Sequence, residues 1–226
     1  MRLGLLGGSF NPIHRCHLSI AHSARQLLEL DRVLFIPTGD PPHKPSGTLA
    51  AARHRYHMVE LAIRDVPEFG LTDIEIRRPG KSYSIDTVRA IQEEYGPETR
   101  LFFVIGLDAF LDLASWRDPE LLLRACHFVV FSRPSLTFQS LRANPLFDFV
   151  QTDTLAALDA GHKERADVLV PPNGSLTFLR LPPCDISASE IRKLIAAGGP
   201  LANRLPLPVQ SYILREGLYR EDSEHL

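Results

Sequence analysis

Leu3-Gly4-Leu5-Leu6-Gly7-Gly8-Ser9-Phe10-Asn11-Pro12-Ile13-His14-Arg15-Cys16-His17 is the stretch from which the rest of the chain is read. Leu3 to Gly7 is a short apolar run closed by glycines, the pattern of a strand buried on both faces of a parallel sheet. Gly7 and Gly8 let the backbone turn tightly and approach a ligand with no β-carbon in the way. Apolar positions from Leu18 to Leu30 predict a helix, whose first turn offers free N–H groups and a positive dipole end to an anion. His14 and His17, three apart, share one face where that helix begins. Two imidazole donors there suit a phosphate on which charge builds. Arg32-Val33-Leu34-Phe35-Ile36-Pro37 reads as a second strand, so the opening forms a right-handed βαβ unit around a phosphate-binding loop.

Outward from this unit, Thr38 to Gly47 is a proline- and glycine-rich loop around His43 and Lys44, and Ala51 to Val66 is helical. Leu71 to Ile76 alternates like a strand, Ser84 to Tyr95 reads as a helix, and Leu101 to Gly106 is apolar enough for a central strand. His127 to Phe131 and Leu176 to Leu181 read as strands, and Ser187 to Ala197 and Pro208 to Glu216 as closing helices. Ser135 to Gly174 shows apolar clusters without a sustained period and receives no assignment. Strands alternating with helices predict an α/β fold, a Rossmann-like doubly wound parallel sheet with a small C-terminal helical segment. Residues 1–184 are expected to form the core, and 185–226 a helical part of the same domain.

The 226 residues carry a formal net charge of −2, with 44% hydrophobic and 23% charged side chains. No global basic field favours nucleic acid. Cys16, Cys126 and Cys184 are odd in number and contain no CxxC pair, so neither a disulfide framework nor a zinc site is expected. Eighteen consecutive apolar residues occur nowhere, so no membrane partner is expected and a reduced cytoplasm is the expected location. Homo-oligomer formation is left open.

The loop is neither GxGxxG, lacking the third glycine, nor a P-loop, lacking Gly-Lys-Ser/Thr. It resembles the (H/T)xGH nucleotidyltransferase superfamily in the form GGSFNPxHxGH, with Cys16 where that motif has glycine. Near the other end, Ile186-Ser187-Ala188-Ser189-Glu190-Ile191-Arg192 reads locally as a capping box built on Ser187 and Glu190. It also resembles the superfamily's ISxxxIR element, which implies that the helix end, Ser187 and Arg192 embrace nucleotide phosphates.

Further segments are similar to the bacterial nicotinate-nucleotide adenylyltransferase family over nearly the whole chain. They are Pro41-Pro42-His43-Lys44, the helix from Arg55 to Ala62, Ser82-Tyr83-Ser84 with Asp86-Thr87, Phe103 to Asp108 with Trp116, Arg133-Pro134 after a strand, and Gly217-Leu218-Tyr219-Arg220. The resemblance implies ATP and nicotinate mononucleotide as substrates, nicotinate adenine dinucleotide and pyrophosphate as products, and Mg²⁺ accompanying ATP, with no dedicated metal site. It implies His14, His17 and Arg192 as catalytic residues. Gly7, Gly8, Ser9, Phe10, Gly106, Asp108 and Ser187 would join them in binding ATP. Lys44, Ser82, Tyr83, Ser84, Asp108, Trp116 and Arg133 would bind the mononucleotide. Alternatives are a nicotinamide-nucleotide or another small-phosphate adenylyltransferase, and a non-catalytic nucleotide-binding regulator.

Overall fold

A computed structural model describes residues 1–41, 49–171 and 174–220. Along the chain lie β1 (Arg2–Gly8), α1 (Arg15–Leu27), β2 (Arg32–Pro37), α2 (Ala52–Ile63), β3 (Phe69–Leu71), α3 (Ile74–Arg77) and α4 (Ser84–Tyr95). They are followed by β4 (Arg100–Gly106), α5 (Leu107–Leu111), α6 (Pro119–Ala125), β5 (His127–Phe131), α7 (Thr152–Asp159), β6 (Arg165–Val170), β7 (Gly174–Leu179), α8 (Ala188–Ala196) and α9 (Leu207–Arg215). The strands make one seven-stranded sheet in the order β3-β2-β1-β4-β5-β7-β6, whose reversal at β1 marks a doubly wound topology. No described helix is long and apolar enough to cross a membrane.

Two compact units divide the chain. The first takes Met1–Leu6, Ser23–Val33 and Tyr83–Cys184. Here β1–β4, β4–β5 and β5–β7 pair in parallel, with Leu3 opposite Leu101, Val104 opposite Val129 and Phe128 opposite Leu176. These strands are apolar without alternation because both faces are covered, and Leu3, Leu5, Phe128 and Phe178 are fully buried. On one side Phe110 packs against Phe147 at 4.7 Å between ring centroids, and Phe138 meets Phe178 edge-on at 5.5 Å.

The stretch from Ser135 to Gly174, unassigned from sequence, supplies part of this core. Two 3-10 turns, Phe138–Ala143 and Pro145–Phe147, bury Phe138, Leu141 and Phe147 at a spacing that no 3.6-residue period reports. The Asp159 carboxylate accepts hydrogen bonds from the backbone of Phe138 and Gln139 at 2.7 and 3.0 Å. The strand β6 that follows runs antiparallel to β7 and ends the sheet. Its Arg165–Asp167 ion pair, at 2.8 Å, puts charge on an edge that would otherwise invite strand pairing. The run β1-β4-β5-β7 is thus parallel, and β6 joins it antiparallel.

The second unit takes Gly7–His22, Leu34–Ser82 and Asp185–Leu226. In it α2 packs against α9, where the His54 ring and the Tyr212 hydroxyl share a 2.7 Å hydrogen bond. The strand expected over Leu71–Ile76 stops at Leu71, and Ile74–Arg77 is a helical turn. Apolar alternation misleads here because local bonds decide the outcome. The Thr72 hydroxyl accepts from Ile74 N at 3.3 Å, and Asp73 pairs with Arg77 at helical spacing, 2.8 Å apart. Helix α1 begins at Arg15, earlier than its apolar period suggested, and α8 begins at Ala188 with Ser187 as its N-cap.

Candidate active site

The loop after β1 is built differently from its sequence reading. The strand runs through Gly8, and the left-handed residue of the turn is Phe10, at φ 43°. A Cβ at Gly7 would meet no described atom within 4 Å, whereas one at Gly8 would lie 3.2 Å from the Phe10 ring. That ring is 2% exposed and packs against Phe35 and His17, so toward a ligand Phe10 offers backbone rather than side chain.

His14 is buried and His17 half-buried, their rings 3.8 Å apart and tilted by 33°. His17 N donates to His14 O at 3.0 Å, and His14 N donates to Nδ1 of His17 at 3.2 Å. A ring nitrogen that accepts an N–H carries no proton, which places the ring hydrogen of His17 on Nε2. Cys16, between them, is buried. Both Cys16 and Cys184 are disulfide-bonded and Cys126 is free, which corrects the expectation of no disulfide, since wide spacing and an odd count carry no information about pairing.

At the start of α8, Ser187 Oγ accepts from Glu190 N at 3.1 Å, one half of the expected capping box. The Glu190 carboxylate instead pairs with Arg204 at 3.1 Å. Arg192, one turn further on, donates through one amino group to the Asn11 carbonyl at 2.8 Å and through the other to Ser189 Oγ at 3.2 Å. The two motifs, 181 residues apart, therefore meet directly through a charge-assisted hydrogen bond. Asn11 is itself buried, and its side-chain oxygen accepts from Ala50 N at 3.1 Å and the Tyr219 hydroxyl at 2.8 Å.

Arg55 supports the same loop. It is 2% exposed and donates to the carbonyls of Ser9 and Ala50 at 2.9 Å each and of Gly39 at 3.3 Å. Burial pulls its guanidinium below the ordinary arginine value, yet arginine stays charged at any working pH. Only its helix, not this role, was visible in the sequence. Ser82, also buried, donates its N–H to Asp40 O at 3.0 Å, and its hydroxyl has no partner among the described residues. Alongside α8, an open cleft of about 380 Å³ is lined by Ser189, Arg192, Lys193, Ala196, Tyr219 and Arg220. Lys44 lies outside the described residues.

The remaining candidates belong to the first unit. β4 ends at Gly106, and Asp108 in the next turn pairs with Arg133, 3.0 Å from Oδ1 to Nε. The Arg133 guanidinium also lies over the Phe131 ring at 5.0 Å. A Cβ on Gly106 would collide with Asp108 Oδ1 and come within 2.7 Å of Arg133 Nε, so glycine makes room for the pair. Ser84 opens α4 behind the N-cap Tyr83, whose ring carries the Arg117 guanidinium at 4.6 Å. Trp116 is half-buried, edge-on to Phe103 at 6.3 Å between centroids.

Among the described residues no group of three or more His, Cys, Asp or Glu is arranged to hold a metal ion. Around the β1–α1 loop and α8 lie imidazole, guanidinium, hydroxyl and helix N–H groups, chemistry complementary to phosphate, while the Glu190 carboxylate is paired with Arg204.

Comparison with known proteins agrees with this chemistry. The chain matches the cytidylyltransferase-like family over residues 5–194. It is 41% identical to a probable nicotinate-nucleotide adenylyltransferase of Pelobacter propionicus, covering 98% of this chain and 99% of that protein. The protein of the same description from Geobacter metallireducens is 39% identical, covering 98% and 100%. Among solved structures, Plasmodium falciparum nicotinic acid mononucleotide adenylyltransferase complexed with NaAD superposes with a TM-score of 0.69 at 19% identity, covering 96% of this chain and 97% of that one. That likeness shows the fold.

Proposed function

The chain belongs to the cytidylyltransferase-like family and, within it, to the nicotinate-nucleotide adenylyltransferases, and we propose that it joins ATP to nicotinate mononucleotide, releasing pyrophosphate and giving nicotinate adenine dinucleotide. The observation that carries this reading is the Arg192–Asn11 hydrogen bond, which brings the helix end of the second motif to the loop of the first.

A phosphate oxygen of the mononucleotide attacks the α-phosphorus of ATP, and the bond to the β-phosphate oxygen breaks with departure of pyrophosphate. The attacking group is already an anion, so no covalent intermediate on the enzyme is needed. Catalysis then consists of alignment and charge stabilisation. His14 and His17 hold the transferring phosphate through ring N–H groups. Ser187, the first N–H groups of α8 and Arg192 take the departing pyrophosphate, with Gly7, Gly8, Ser9 and Phe10 contributing backbone.

Lys44 adds a point charge on the phosphates. Gly106 and Asp108 contact the ATP side, Asp108 through ribose hydroxyls, its carboxylate steadied by Arg133. Trp116 offers a flat indole for the pyridine ring, and Ser82, Tyr83 and Ser84 offer backbone and hydroxyl groups to the mononucleotide. Mg²⁺ would accompany ATP and neutralise phosphate charge; the Glu190 and Asp108 carboxylates are each paired with an arginine, and the groups around the phosphate loop are otherwise cationic or neutral, so the residues suit a metal brought in with the nucleotide. Pyrophosphate release measured with ATP and each candidate mononucleotide tests the proposal. Release that requires nicotinate mononucleotide supports it, and ATP binding without release under any mononucleotide would point to a regulator instead.

A further inference from the structure

Past the end of α9 the chain makes a turn with two left-handed residues, Gly217 at φ 64° and Tyr219 at φ 64°. For tyrosine that backbone conformation is unfavourable, and it persists where surrounding contacts determine it. The contact is the 2.8 Å hydrogen bond from the Tyr219 hydroxyl to Oδ1 of Asn11, 208 residues earlier.

An amide oxygen has two lone pairs, and that of Asn11 uses both, one for Tyr219 and one for the backbone N–H of Ala50. The main-chain carbonyl of the same residue takes the Arg192 guanidinium. Asn11 thus ties three distant segments to the phosphate loop: the stretch entering α2, the α8 motif and the C-terminal turn. The phenol sits amid the charges of Arg55 and Arg192, and burial still pushes it above the ordinary tyrosine range, so it remains a donor at working pH.

We propose that Tyr219 is a positioning residue for pyrophosphate departure: through Asn11 it fixes the carbonyl on which Arg192 is seated, and so sets where that guanidinium meets the β- and γ-phosphates. This rests on the adenylyl-transfer reading above. Loss of the hydroxyl leaves Asn11 with one donor where the fold supplies two, and Arg192 then samples positions away from the leaving group. The effect belongs in turnover and in affinity for pyrophosphate, not in affinity for the mononucleotide.

The test uses Tyr219→Phe, which keeps the ring, alone and combined with Arg192→Lys. Turnover of Tyr219→Phe is expected to fall about fivefold to tenfold, the worth of one buried hydrogen bond. The KM for nicotinate mononucleotide should change less than about twofold, since its proposed contacts do not involve Asn11. Calorimetry with inorganic pyrophosphate should show a comparable fivefold weakening. In the Arg192→Lys background both losses should shrink below about twofold, because the hydroxyl acts through the arginine. A chain ending at Leu218 should lose at least as much as Tyr219→Phe. Additive losses, or unchanged turnover and pyrophosphate affinity in a folded Tyr219→Phe, would overturn the proposal. The pyrophosphate measurement does not depend on which mononucleotide is the substrate, so a wrong substrate assignment and a wrong role for Tyr219 give different results.

Discussion

Gly106→Ala is the sharpest perturbation that the geometry offers. A methyl group at this position would collide with Asp108 Oδ1 and lie 2.7 Å from Nε and 3.1 Å from an amino nitrogen of Arg133. All these atoms are ends of flexible side chains, so the clash is relieved by swinging the pair apart rather than by moving β4. The pair is partly exposed, 33% for the arginine side chain and 55% for the aspartate, so solvent screens it and its rupture costs about 0.5 kcal/mol. Off-rotamer side chains add about 1 kcal/mol. A total near 1.5 kcal/mol lowers the melting temperature of a chain this size by roughly 3–6 °C. The kinetic effect should be larger, because Asp108 would no longer stand where the proposed ribose contact requires it: KM for the substrates should rise about tenfold, the worth of one charge-assisted contact. Steady-state kinetics beside thermal melting read both quantities. A large fall in melting temperature with unchanged KM in the folded fraction would show that the glycine serves packing alone and refute the role of the pair.

His17→Ala should leave the melting temperature within a few degrees and reduce turnover by about 10²–10³, the usual loss for a donor aimed at transition-state charge. Wild-type turnover in that folded variant would remove the histidine from the mechanism. Trp116→Ala should raise KM for the mononucleotide several-fold more than KM for ATP, and equal effects would exclude ring stacking. His127 predicts a pH effect on stability. Burial, and then the nearby Arg100 and Arg2, lower its pKa from the ordinary value of 6.5, and its Nδ1 lies 2.9 Å from Ser175 Oγ. The unfolded chain therefore binds a proton near pH 6.5 that the folded chain takes only at lower pH. Stability is full above 6.5 and falls as pH drops toward the folded value. Chemical denaturation across this range should show a slope that His127→Gln removes.

The βαβ opening was readable because Leu3–Leu6, Val33–Ile36 and Leu101–Ile105 are uninterrupted apolar runs, the mark of strands covered on both faces. The edge strand β6 was not, because only Ala166 and Val170 of its residues are buried, while Arg165, Asp167 and even the apolar Leu169 are exposed. Leu71–Ile76 failed for a related reason, since alternation cannot report the Thr72 and Asp73 side-chain bonds that wind the chain. At the candidate site, motif spacing singled out the loop and the α8 end separately. What it could not supply was distance: that Arg192 reaches Asn11, that Asp108 reaches Arg133, or that Arg55 holds three carbonyls of the surrounding loops. The turn at Phe10 escaped because glycines beside it invited the conventional assignment.

The most direct measurement is kcat/KM for nicotinate mononucleotide and for nicotinamide mononucleotide with ATP, the dinucleotide product identified by mass. Formation of nicotinate adenine dinucleotide with one pyrophosphate released per turnover, and a preference for the nicotinate substrate, is the predicted result. Dinucleotide formation from neither mononucleotide, or a preference for the amide, would contradict it.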